Sequence, residues 1–215
     1  MTRKTVPADV AAIRAAINEF LNTKDKEGRI VGNSKCGVYA FFDYDAEPIY
    51  VGQTIEKLRV RIRRHLTNHR TDAVAMNVLD PFEVAEIEMW PYFDLNKQDE
   101  KAILGAAEST VYQRVLAASS FKAVLNEKDI PKVKTVKLPT SVRARIIPDE
   151  IYEARSHADV RIARRASTIA SLARVISERQ VSAGLRRTLL IQARRLERLA
   201  ELRAEEMAGT DEDSD

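Results

Sequence analysis

Cysteine is almost missing: Cys36 is the only one in 215 residues. No internal disulfide and no cysteine-built metal site are therefore available, and a reducing compartment suits the chain. Long apolar runs are missing as well. No stretch approaches the ~20 consecutive apolar residues that span a bilayer, and the first residues lack the apolar core of a signal peptide. The expectation is a cytoplasmic protein with no membrane segment. An excess of one charge sign is also small, at a net +3.

That average hides a polarised layout. The last residues, Asp211, Glu212, Asp213 and Asp215, are acidic, and the body without them carries +7. Basic residues gather from Lys57 to Arg70, from Lys132 to Arg145, and as repeated arginines between Arg155 and Arg198. Such clustering is the electrostatic footprint of a phosphate-backbone binder. The blander reading of the far arginines is a solvated helix face. At 45% apolar, the chain has the composition of a globular protein with one core and an appendage.

Periodicity assigns the elements. Pro7 and Ala8 to about Leu21 read as a helix with Val10, Ile13, Ile17 and Leu21 on its buried side. Gly37 to Tyr44 and Pro48 to Gln53 are β-branched and aromatic around the turn residues Asp45-Ala46-Glu47, which predicts a hairpin. An even-length turn pairs residues whose numbers sum to an odd total, so Tyr39 and Tyr50 are expected on one face. Glu56 to Thr67 reads as a helix on Leu58, Ile62 and Leu66, with Arg61 and His65 one turn apart beside that stripe. Phe82 to Trp90 suits a third strand. From Gln98 to about Ala118 the helix period returns on Ile103, Leu104, Ala107, Val111 and Val115, with Glu108 at the stripe's edge. Asn126 follows it.

Gly37-Val38-Tyr39 and Tyr50-Val51-Gly52, followed by Arg61, His65, Glu108 and Asn126 in that order, resemble the GIY-YIG nuclease family, with valine for isoleucine in both tripeptides. The histidine one turn after the arginine is similar to the family's restriction-endonuclease-like branch. The resemblance implies an α+β fold, with a small antiparallel three-stranded sheet flanked by helices. It implies a metal-dependent endonuclease in which Tyr39 is the general base or water-orienting group, Arg61 clamps the scissile phosphate and His65 assists proton transfer. Tyr50 would hold the water or phosphate, Glu108 the metal, and Asn126 its neighbours' positions. A phenol with pKa ~10 needs neighbouring positive charge to act as a base. One firm carboxylate suits Mg²⁺, with Mn²⁺ substituting, that keeps most of its waters.

The expected organisation is an N-terminal helix and loop (1–30), a nuclease domain (31–131), a basic extended arm (132–148), a helical region (149–208) and an acidic disordered tail (209–215). The alternative reading of the arm is an amphipathic edge strand. Expected DNA contacts are Lys57, Arg59, Arg63, Arg64, Arg70, Lys132, Lys134, Lys137, Arg143 and Arg145. In the helical region two stripes stand out: Ile162, Ala166, Ile169, Ala173 and Ile176, then Leu185, Leu189, Leu196, Leu199 and Leu202, with a break within Gln180–Gly184. They close on each other as a helical hairpin or on a second copy as a homodimer, which would give the two sites that a duplex cut needs. A restriction or genome-defence nuclease acting on DNA is the leading reading. The others are a structure-specific or single-strand nuclease of repair or mobile elements, and a subunit active only within a larger defence assembly.

Overall fold

The computed structural model describes residues 6–67, 78–128 and 130–212, with side chains to residue 208. Helix α1 (Ala8–Leu21) leads to strands β1 (Cys36–Phe42) and β2 (Pro48–Thr54) and helix α2 (Leu58–Thr67). Strand β3 (Glu86–Tyr92), helix α3 (Glu100–Ala118) and strand β4 (Val142–Arg145) follow. The chain then continues as helices α4 (Asp149–Ser156), α5 (Ala158–Glu178) and α6 (Ala183–Glu212). Helix α6 runs into the segment expected to be a disordered tail.

The sheet is antiparallel in the order β2-β1-β3-β4. It has four strands rather than the expected three. The extra strand lies in the segment expected to be an extended arm, where Arg143 pairs with Glu88 and Arg145 with Glu86 across the β3 edge. Alternating basic residues facing a row of acids make a strand here, because opposite charges on neighbouring strands favour the pairing. Residues 130–141 stay irregular.

The hairpin register follows the odd-sum rule from Gly37↔Thr54 through Phe41↔Tyr50 and slips only at a bulge beside Phe42. One face of the sheet, bearing Val38, Ala40, Val51 and Trp90, packs on Leu104, Ala107, Val111 and Val115 of α3. The other, bearing Tyr39, Phe41, Ile87 and Met89, is covered by Ile17, Phe20 and Leu21 of α1, Leu58 and Ile62 of α2, and Ile191 of α6. Val10, expected on the buried side of α1, is exposed.

Helices α5 and α6 pack on each other and, with Val78, form a third cluster around Leu172, Val175 and Leu185. Their inward face differs from the one periodicity suggests. On α5 the buried residues are Arg161, Arg165, Thr168, Leu172 and Val175, while Ala166 and Ala173 are exposed. The stripe is shifted because arginines, not isoleucines, meet buried acids. On α6, Arg195 is 2% exposed and Leu202 lies outside. Asp149, the first residue of α4 after the N-cap Pro148, pairs with Arg145.

Those arginines converge on the β1–β2 turn. Arg165 reaches Asp43 at 3.3 Å and Glu83 at 3.1 Å. Arg195 lies 3.5 Å from Asp43 and 3.7 Å from Glu47 and donates to the Pro48 carbonyl oxygen at 3.1 Å. Arg161 grips both carboxylate oxygens of Asp45. Asp43 also shapes the turn, accepting hydrogen bonds from the Asp45 and Glu47 backbone. Asp43 and Glu47 are thus buried with arginine partners, while Asp45 at the tip stays half exposed.

Candidate active site

The site is built on the hairpin face that carries Tyr39 and Tyr50, whose rings stack at 6.2 Å. Both glycines of the paired tripeptides are dictated by space. A Cβ on Gly52 would lie 2.7 Å from the Tyr39 hydroxyl and 2.8 Å from Cε1 of Tyr50, so the strand between the phenols tolerates no side chain. A Cβ on Gly37 would lie 2.7 Å from the Trp90 carbonyl oxygen and 3.0 Å from a Leu58 methyl, so α2 seats directly on the strand.

With Leu58 and Ile62 buried against the sheet, α2 delivers Arg61 and His65 to the same phenol. His65 Nε2 is 2.9 Å from the Tyr39 hydroxyl oxygen, and Arg61 Nε donates to that oxygen at 3.2 Å. The cluster has two levels. Tyr39 and His65 lie beneath, at 0% and 2% exposure, whereas Tyr50, Arg61 and Glu108 are only partly covered.

Burial governs the charges. It pushes the Tyr39 phenol far above its ordinary range, and Tyr50 adds to the rise, while Arg61 acts against it. The expected phenolate-favouring effect of nearby cations is therefore outweighed here, and Tyr39 is a neutral phenol. Burial, helped by Arg61 and Arg64, pushes His65 down to about 4, so its imidazole is neutral at pH 7. Burial also pushes Glu108 up to about 7, against hydrogen bonds from the backbone and side chain of Gln53. Glu108 is near enough to the hairpin to raise both phenols.

A lone desolvated carboxylate held by an amide suits one protein bond to a hard divalent cation that keeps its waters and takes phosphate oxygens. Among the described residues no group of three or more His, Cys, Asp or Glu side chains forms a complete metal cage.

Asn126 stands apart from the chemistry. Its Oδ1 accepts from the Val51 N–H at 3.0 Å and its Nδ2 donates to the Val51 carbonyl at 2.7 Å, pinning the edge strand β2 beside Tyr50. Gln53 is the residue that sequence reasoning does not single out. Its only signal is a polar side chain directly after Gly52.

The basic residues divide. Arg59 holds the Leu21 carbonyl and Asn22, and Arg63 holds Asn18, so both tie α2 to the end of α1. Arg64 pairs with Glu56 at 2.7 Å. Arg143 pairs with Glu86 at 2.7 Å and covers the Phe42 ring, and Arg145 pairs with Asp149. Lys57, Lys132, Lys134 and Lys137 are exposed. Arg70 lies outside the described residues.

Residues 35–113 match the family model of the GIY-YIG catalytic domain. No curated protein and no solved structure matches the chain.

Proposed function

From the premise that residues 35–113 are the GIY-YIG catalytic domain of a nuclease, a phosphodiester hydrolase, we propose that the protein is a Mg²⁺-dependent DNA endonuclease of a restriction or genome-defence system. The observation that supports it best is the meeting of Arg61 and His65 on the Tyr39 hydroxyl, with Glu108 close by. Hydrolysis needs a proton acceptor for the attacking water, positive charge for the phosphate, and neutralisation of the leaving 3′ oxygen.

In this reading the guanidinium of Arg61 is the accessible clamp, and its planar fork matches two phosphate oxygens. Arg61 also lies across the Tyr39 hydroxyl, so its shift onto a phosphate uncovers that oxygen for water. As water oxygen attacks phosphorus and the bond to the 3′ oxygen breaks, the water proton passes to Tyr39. The phenol's own hydrogen moves to His65 Nε2, which is free to accept it when the imidazole hydrogen sits on Nδ1. A relay of this kind needs no standing phenolate, which burial disfavours. Glu108 would hold the cation, which supplies Lewis-acid neutralisation of the phosphate and the leaving oxygen when bound. Tyr50 orients the phosphate or water, and Asn126 and Gln53 hold β2 and Glu108 in place.

One chain makes one nick, so a double-strand cut calls for two copies related by a two-fold axis. The decisive experiment incubates the purified protein with plasmid and with methylated or unmethylated genomic DNA, with Mg²⁺ or with EDTA, and sequences the ends. Mg²⁺-dependent cuts at a defined sequence, lost in Tyr39→Phe, are expected. Cutting confined to forked or single-stranded DNA would replace the restriction reading with a structure-specific one, and no cutting of any DNA would reject the proposal.

A further inference from the structure

We propose that residues 130–138 form a fixed rail that carries the DNA backbone away from the scissile phosphate along α3, using Lys132, Lys134 and Lys137. The inference rests on the nuclease reading above and adds the path of the substrate. Several arginines of the second and third basic clusters are already paired with acids of the protein: Arg143 with Glu86 and Arg145 with Asp149 at the surface, and Arg165 with Asp43 and Glu83 and Arg195 with Asp43 and Glu47 in the interior. Charge that is already compensated gives little to a phosphate. The three lysines are different, being exposed, with no ion pair to any described residue.

The backbone that carries them is anchored. The Ser109 hydroxyl donates to the Pro131 carbonyl at 2.8 Å and accepts from the Val133 N–H at 3.2 Å. Gln113 donates to the Val133 carbonyl at 3.2 Å, and the Val136 N–H reaches the Thr110 hydroxyl at 3.0 Å. Leu138 packs on the cluster beneath α3, and Ser141 Oγ donates to Glu88 at 2.7 Å. Ser109 and Thr110 directly follow Glu108 on the helix. The rail therefore passes within about a helix diameter, ~10–12 Å, of the turn that bears Glu108. The five steps from Lys132 to Lys137 span at most about 18 Å, enough to meet several phosphates of one strand, spaced ~3.4 Å apart along the duplex axis. An anchored, uncompensated row of lysines loses little ordering entropy on binding a polyanion.

The test is the salt dependence of duplex binding by the full chain in EDTA, where no cleavage occurs, followed by fluorescence anisotropy. For the wild type against Lys132→Ser/Lys134→Ser/Lys137→Ser, the slope of log affinity on log salt should flatten by about two to three, near 0.9 per lost phosphate contact. Arg174→Ser/Arg186→Ser/Arg194→Ser, exposed on α5 and α6, should leave the slope unchanged. A triple-lysine variant with the wild-type slope, or equal flattening by the helical control, overturns the rail while wild-type cutting keeps the nuclease reading intact. Wild-type protein that neither binds nor cuts DNA overturns both.

Discussion

Arginine does opposite work at the two ends of the β1–β2 hairpin. At the glycine end Arg61 lies over a buried phenol, to which its Nε donates, and is partly open to solvent. At the turn end Arg161, Arg165 and Arg195 are buried against Asp43, Asp45, Glu47 and Glu83. The same side chain is thus left hungry for an anion in one place and saturated with carboxylates in the other. Burial alone does not separate function from scaffold; what separates them is whether the charge has been answered within the chain.

The largest test of that contrast is kinetic. Tyr39→Phe and Arg61→Ala should each lower kcat by about 10²–10⁴-fold, with little change in thermal stability. Glu108→Ala should abolish Mg²⁺-dependent cutting while DNA binding persists. Retained cutting by Glu108→Ala would remove it from the chemistry.

At the other end Arg195→Met should cost about 3–5 kcal/mol, read from urea denaturation, because it leaves the buried Glu47 without its cation and Asp43 with Arg165 alone. Arg161→Ala should cost clearly less, since Asp45 is half exposed and solvent answers its charge. Equal losses would mean that depth of burial does not grade the two pairs.

The pH dependence of metal-free stability sharpens the picture at the active site. His65, lowered to about 4, contributes stability that is present above its ordinary 6.5 and is lost as pH falls through 4. Glu108, raised to about 7, contributes stability that is present below its ordinary 4.5 and is lost as pH rises through 7. The two slopes oppose each other between about pH 4.5 and 6.5, so the wild type should be nearly flat there. Glu108→Gln should make stability rise with pH, and His65→Gln should make it fall. Parallel profiles in the two variants would contradict the assignment. The smallest effect belongs to Arg143→Ala, about 0–1 kcal/mol with an unchanged DNA salt slope, because the Glu86 pair is partly exposed.

Much of the catalytic half is legible from residue order. Period-2 runs around a turn-rich tetrapeptide place Tyr39 and Tyr50 on one face, and the four-residue stripe of α2 carries Arg61 and His65 to them. Strand β4 is harder to read, because four residues with alternating arginines become a strand only when Glu86 and Glu88 stand opposite. The inward face of α5 is hidden for a related reason. Arg161 and Arg165 look like solvent-facing residues until their acids, far back in the chain, are known. Sequence also points the wrong way on the Tyr39 phenol. Its cationic neighbours are visible in the chain, whereas the degree of its desolvation is a property of packing.

The bracing of the hairpin turn has a consequence in time. Asp43 and Arg165 are separated by 122 residues, and the Pro48 carbonyl and Arg195 by 147. At ~5–20 residues per second the ribosome needs on the order of ten seconds to span such gaps. A nascent hairpin must wait that long with its carboxylates unanswered. Contacts this remote are also slow to close once the chain is complete. The turn end of the hairpin is therefore braced only after synthesis has passed α6, well after the strands that carry Tyr39 and Tyr50 have been made.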